Sequence, residues 1–330
     1  MAVFESVLSG VIIFCSFIGN CLVIVLVFKK PRLGTTTSIY IVSLAVTDLL
    51  NACIPGPLFI ASLITDGMPY NSVVCNIGGF FLHFLTLVST STMALIAINR
   101  YYCCLKRSRY GIVFSPRRSV SYIVSLWTFV AIFTWIPIIG GWAEMAFNPL
   151  MACCNWHFFL KRAEKAFTII TLVGFMVTSF SIITVSYYHV SRYIRQHNNQ
   201  FSTHQSLSVQ EINVTRTFFA LVLSFVALWL PTFVTIFLYR VAIRETYPRL
   251  VGIIIPFLLQ VSSAINPWIY GIMNPSFRKK LIPLLKWSRV NEVGCEPTGP
   301  QTSHVGMTSR LESGNDDHHS NERERSERDL

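Results

Sequence analysis

The sequence predicts an all-α membrane protein: a seven-transmembrane helix bundle with a short amphipathic interfacial helix after the seventh span. Three observations carry this. The 330 residues are 52% hydrophobic and 13% charged, whereas a soluble domain carries about 25% charged residues. Apolar windows of spanning length, roughly 20 residues at 1.5 Å each, occur seven times, at about 6–28, 38–64, 75–99, 120–141, 166–188, 217–239 and 249–272. The net charge of +11 is also lopsided. Of 27 Lys and Arg, 17 fall on one side of the predicted bundle and four in the tail, while six (Lys161, Arg162, Lys165, Arg240, Arg244 and Arg249) fall on the other side. Such sidedness is what a lipid bilayer imposes and argues against nucleic acid as the partner. By the positive-inside rule the N-terminus is extracellular and the C-terminus cytoplasmic, as an odd number of spans requires.

The first window has no basic residue before it and is too long for a signal peptide. It ends in Lys29-Lys30 and reads as an anchor behind a short extracellular N-terminus, residues 1–5. Asp48, in "SLAVTDLLNA", is the only carboxylate well inside the seven spans. A charge at that depth costs on the order of 3 kcal/mol, so a functional role is the default. Ser89, Ser262, Ser263, Asn20 and Asn266 lie at depths that can meet it. Together they make either a small-cation site, with Na⁺ the expected ion, or a proton-linked switch, or an acid bonded to Asn20 and Asn266 that holds three helices together.

The third window ends abruptly in "AINRYY", which sets Arg100 at the mouth of an apolar helix, with Lys106, Arg107, Arg109 and Arg117 close behind. After the fifth window, about 28 polar residues without Pro or Gly predict helical extensions of both neighbours. The sixth contains "FVALWLP", Phe225 to Pro231. Proline removes a helix hydrogen bond and crowds the preceding turn, so a kink is expected there, with Trp229 packed above it. A second break falls in the seventh at "NPWIY", Asn266 to Tyr270. Two kinked helices in succession are either moving parts or static bends. Glu211, at the start of the sixth helix, has the same predicted depth as Arg100. The two form a latch if the helix ends meet, and are independent surface charges if they do not.

The bundle thus spans 6–275. Residues 276–287 pair cations with Phe277, Leu281, Leu284, Leu285 and Trp287, the composition of a helix lying in the interface on anionic lipid. From 288 to 330 the chain is polar and low in complexity, which predicts a disordered cytoplasmic tail. A transporter would show an inverted repeat or paired charges along a path; apart from Asp48 there are none. An intramembrane hydrolase would need a His/Asp or metal cluster, and His83 is the only histidine well inside a span. Cys15, Cys21 and Cys53 read as apolar fillers, while Cys75, Cys153 and Cys154 lie on the oxidising side.

Gly19-Asn20, "SLAVTDLL", Cys75 opening the third helix, "NRY", Trp127, "FVALWLP", "NPWIY" and "NPSFRKK" follow one another in fixed order from about Ser6 to Trp287. On these motifs the chain resembles a rhodopsin-like (class A) G-protein-coupled receptor. The resemblance implies a plasma-membrane receptor, not an enzyme, that carries an extracellular small-molecule signal to a heterotrimeric G protein. Arrestin and a receptor kinase would be further partners of the tail. It also implies roles. Arg100, between Asn99 and Tyr101, would turn to meet a G-protein helix when the sixth helix swings out, and Glu211 would hold it at rest. Tyr187 and Tyr270, with Asn266 and Pro267, would support the active geometry. Trp229, with Phe225 and Pro231, would be the ligand-sensitive toggle. Asp48, Ser89 and Asn266 would form the sodium pocket, and Cys75 would bridge to Cys153 or Cys154. The family more often has an acid at position 99. Asn cannot form a salt bridge, so the resting state would lean on Glu211, and basal signalling is expected.

For the ligand, Leu82 stands where biogenic-amine receptors of the family have Asp, and no acid lies on that helix. Gln260 stands where opsins have the retinal-binding Lys, and no Lys occurs in that span, so no Schiff base forms there. Leu82, His83, Thr86, Thr171, Phe175, Phe233 and Gln260 outline an apolar cavity with a few neutral hydrogen-bonding groups, which predicts a small neutral ligand. "NRY" is melatonin-receptor-like, while "IPIIGGW" and "CCNW" are opsin-like. The alternatives are an opsin-related receptor without the retinal lysine and a membrane transporter. Ser179 replaces the Pro that many members have in the fifth helix, which leaves a bulge near Thr171 open. Cys103, Cys104 and Cys295 are candidates for palmitoylation.

Overall fold

The computed structural model describes residues 2–29, 35–198, 209–243, 248–274 and 277–278, with the side chains at 2, 35, 197–198, 209–212 and 243 set aside. Among these, seven helical segments are long and apolar enough to cross a membrane. Helix α1, Ala2–Lys29, starts four residues before the expected span and takes in most of the predicted extracellular tail. Glu5 in its first turn and Lys29 in its last lie where each charge meets the favourable end of the helix dipole.

The second span is two helices, α2 (Thr35–Cys53) and α3 (Pro55–Thr65), parted at Ile54. Pro55 disfavours regular helix at the residue before it, yet its fixed φ suits the first turn of α3. Helix α4, Ser72–Leu105, is capped by Asn71, whose side chain accepts from the Val74 N–H at 3.0 Å. Two elements in the connections had no counterpart among the expectations. One is a short helix, α5 (Arg107–Val113). The other is an antiparallel hairpin, β1 (Ala143–Asn148) and β2 (Cys153–Phe158), following α6 (Pro116–Ile139).

The fifth span is α7 (Lys161–Thr171), a π-helical turn over Leu172–Val177, and α8 (Thr178–Asn198). This turn is the bulge left open by Ser179. It forms without proline, and the Thr178 hydroxyl donates to the Val173 carbonyl five residues back at 2.8 Å. The sixth span, α9 (Val209–Phe237), likewise ends in a π-helical turn, Leu238–Ile243, and the seventh is α10 (Arg249–Met273).

Helix α4 is the axis of the bundle: 61% of its apolar window is buried, against 17% for α6 at the periphery. Outward-facing Phe14, Phe129 and Trp268 present the apolar surface that lipid requires. Gly19 of α1 lies so close to Pro267 of α10 that a Cβ there would sit 2.8 Å from the proline ring. This contact accounts for Gly19 and draws the first and seventh spans together. The hairpin folds over one end of α4 and is tied to it by a Cys75–Cys154 disulfide, which resolves the choice between Cys153 and Cys154. All the described residues belong to one unit, Met1–Trp287. Of the interfacial helix expected at 276–287, Phe277 and Arg278 are described and helical; the tail, 288–330, lies outside the described residues.

Candidate functional site

Beneath the hairpin lies a cavity of about 880 Å³, including the part open to solvent. Helix α4 contributes Leu82, His83 and Thr86, the fifth span Thr171, and α9 Trp229 and Phe233. The hairpin adds Asn155, Trp156 and Phe158 as a lid. The disulfide positions this lid, because it pins the residue before Asn155 to the start of α4. Gly79 permits the close approach, its Cα facing the Cys154 carbonyl where a Cβ would come within 3.2 Å. His83 hydrogen-bonds Asn155 Oδ1 at 2.8 Å and stacks on Trp156 with ring centroids 3.7 Å apart.

Two residues expected in the cavity are elsewhere. Phe175 packs between the fifth span and α6, its ring 4.8 Å from that of Phe133. Gln260 is buried in a smaller neighbouring cavity with Asn51, Tyr70 and Cys153. Conversely, Arg240 lines the main cavity, although the sequence marked it only as a charge on the hairpin side. It pairs with Glu164 of α7 at 2.9 Å. The Cys153 thiol, unbridged beside the disulfide, is pushed up to about 12 by burial, against a lowering influence of the Arg240 charge.

Trp229 forms the floor. Its ring lies between those of Phe225 (5.4 Å) and Phe233 (5.2 Å), and its indole N–H donates to Ser262 of α10 at 3.0 Å. Below it is a small pocket around Asp48, bordered by Asn51, Ser89, Ser262 and Ser263. Asp48 accepts from Asn266 Nδ2 at 2.8 Å. Asn20 does not reach it. Its amide donates instead to the carbonyls of Ser16 (2.9 Å) and Ser263 (3.2 Å), and so fastens α1 to α10 directly.

At the opposite end Arg100 is buried, 4% exposed. Its guanidinium donates to Thr37 of α2 and to Asn99 Oδ1 at 2.6 Å, and stacks over Phe218 of α9 at 5.3 Å from the ring centroid. Asn99 in turn donates to the Tyr110 hydroxyl of α5 at 3.2 Å. Among the described residues no carboxylate pairs with Arg100, and the Glu211 side chain lies outside them. Tyr101 packs away from this cluster, against His189. The hydroxyls of Tyr187 and Tyr270, both buried, have no hydrogen-bond partner among the described residues. Cys104 is buried with its sulfur 3.8 Å from the Thr215 hydroxyl, so it is not exposed for lipidation in this packing.

What the bundle joins is a binding cavity at one end and, along α9, a cation at the other held by bonds that a shift of helices would break. That pairing defines a membrane receptor. A family model described as 7 transmembrane receptor (rhodopsin family) matches residues 19–270, and the chain belongs to that family. It is a G-protein-coupled receptor, a multi-pass protein of the plasma membrane. Among its relatives, it is 25% identical over 281 residues to melatonin receptor type 1A of Ovis aries, covering 83% of this chain and 75% of that one. It is 26% identical over 270 residues to melatonin receptor type 1C of Gallus gallus (80% and 76%). To octopamine receptor beta-1R of Drosophila melanogaster it is 24% identical over 306 residues (84% and 60%). The fold is shared with the crystal structure of squid rhodopsin, at a TM-score of 0.76 and 18% identity over 93% of this chain and 91% of that chain.

Proposed function

We propose that the hairpin end faces the extracellular medium and that a small ligand with a largely apolar body binds there. Ligand binding would bias the receptor toward a packing in which α9 leaves Arg100 and a heterotrimeric G protein takes its place. The observation that carries this reading is Trp229, which lines the cavity and is hydrogen-bonded to Ser262 of α10. A ligand that repacks Trp229 therefore acts on both proline-containing helices, α9 and α10, at once. Phe218, further along α9, is the surface on which Arg100 stacks, so displacement of α9 loosens the cation. Such a shift requires the ligand to bind the two packings with different affinity. The basic residues around Arg100, among them Lys106, Arg107, Arg109, Arg117 and Arg118, support a cytoplasmic location for that end.

Asp48 fits a Na⁺ ion: it is a buried carboxylate whose described partners, the Asn266 amide and the Ser263 hydroxyl, are uncharged, with further hydroxyl oxygens around it. Asp48 and Ser89 would hold the ion, with Asn266 orienting the carboxylate, and the ion would neutralise a charge otherwise buried alone. Arrestin and a receptor kinase would act on the tail, where Thr302, Ser303, Thr308, Ser309, Ser313, Ser320 and Ser326 offer hydroxyls.

The test is nucleotide exchange on purified heterotrimers by the receptor in lipid nanodiscs, across a panel of Gα subunits. Exchange is expected with at least one heterotrimer, slowed by Na⁺ in the parent and insensitive to Na⁺ in Asp48→Asn. Equal Na⁺ sensitivity in both would remove the ion site, and no exchange with any heterotrimer would contradict the coupling itself.

A further inference from the structure

Among the described residues, Arg240 is the one Lys, Arg, Asp or Glu side chain lining the cavity. Its side chain is 17% exposed, and it holds Glu164 through a single contact from Nη1. A guanidinium has five N–H donors, of which the described bonds use one. Glu164 itself does not line the cavity. It sits in the first turn of α7, 31% exposed and flanked by Lys161, Arg162 and Lys165. The cation thus borders the binding space while its counter-ion stands outside.

A second observation has the same sign. Trp156 also lines the cavity, and its indole N–H is buried with no partner among the described residues. Of the other polar groups of the lining, Thr86, Thr171 and Thr232 donate to carbonyls of their own helices, and His83 Nε2 bonds Asn155 Oδ1. Thr168 adds a hydroxyl that can donate or accept, and the charged and indole groups of the lining offer N–H donors alone. A carboxylate, which only accepts, is their complement, whereas an amine would be repelled and a neutral group would leave Arg240 with Glu164.

We propose that the ligand is an amphipathic carboxylic acid whose headgroup takes the place of Glu164 on Arg240 while its apolar body fills the cavity over Trp229. This rests on the reading of the cavity as the ligand site, and it replaces the neutral ligand expected when Arg240 was not known to line the cavity. The acid's two oxygens can take the guanidinium fork bidentately in a setting drier than the one Glu164 occupies.

The experiment measures thermal stabilisation of the purified full-length receptor in nanodiscs by decanoate and 2-naphthylacetate, each against its neutral amide. The acids are expected to bind about tenfold or more tightly than the amides, the range of one charge-assisted contact. Arg240→Gln should erase that preference, and Arg240→Lys should keep a weaker one, which separates loss of charge from loss of fold. Glu164→Gln should strengthen acid binding several-fold and leave the amides unchanged. Equal binding of acid and amide, an acid preference that survives Arg240→Gln, or no acid binding up to about 1 mM would each overturn the proposal. Amide binding alone, lost on Phe233→Ala, would overturn the headgroup and leave the cavity standing as the ligand site.

Discussion

The two ends of the bundle both contain buried polar groups without partners, but of different kinds. Under the hairpin these are the Trp156 indole N–H and Gln260 Oε1, beside a part-exposed Arg240 that borders the cavity with N–H donors the described bonds do not use. Around Arg100 they are the hydroxyls of Tyr187 and Tyr270 and the arginine Nε, each buried among the described helices even though an open cleft between α8 and α9 borders Tyr187. Arg240 can be met by an incoming molecule without rearranging the lid. The groups around Arg100 can be satisfied only if helices move. A buried polar group left unpaired costs about 1–3 kcal/mol, so the ligand end is built for occupancy and the Arg100 end for a change of packing.

Removing the tether should break this contrast most strongly. Cys154→Ser frees the hairpin from α4, and loss of a bridge closing so long a loop costs about 2–4 kcal/mol. Surface expression and thermal stability should fall together. Cys153→Ser should cost clearly less, since it removes no bridge and only exchanges a buried thiol, protonated at any pH well below its raised value of about 12, for a hydroxyl. By the same sign, thiol reagents near neutral pH should label Cys153 only after denaturation. Equal losses from the two serine variants would show that the bridge is not what positions the lid.

A smaller effect sharpens the comparison at the other end. Tyr187→Phe or Tyr270→Phe deletes a hydroxyl that this packing leaves unpaired, so each variant should melt a few degrees higher in detergent and activate G protein less readily. Scanning calorimetry with a coupled exchange assay reads both. A lower melting point would mean that the hydroxyls are already engaged at rest.

Lipid makes the spans legible, because every backbone polar group must be satisfied within an apolar helix of fixed length. Asp48 with Asn266 could be anticipated for the same reason, as a lone acid in hydrocarbon must find polar company. Two of the residues that escaped share a physical cause. Phe175 and Arg240 both lie in π-helical turns, Leu172–Val177 and Leu238–Ile243, where the extra residue rotates side chains off a 3.6-residue periodicity. One therefore left the cavity and the other entered it. The hairpin strands are six residues each and owe their position to the disulfide, a long-range bond that the sequence narrowed to two partners for Cys75. Gly19 matched a motif, but its reason, the Pro267 ring against it, is visible only in three dimensions.

Asn99 ties the comparison to function. It holds Arg100 through an uncharged acceptor and passes a second bond to Tyr110, so no opposing charge holds the cation at this position. Asn99→Asp should turn the bond from a charged donor on a neutral acceptor into an ion pair. The most direct test is ligand-free G-protein activation in cells, comparing the parent, Asn99→Asp and Arg100→Ala at matched surface expression. The account predicts measurable activity in the parent, several-fold less in Asn99→Asp and none in Arg100→Ala. Undiminished activity in Arg100→Ala, or a parent no more active than Asn99→Asp, would contradict a loosely held cation as the switch.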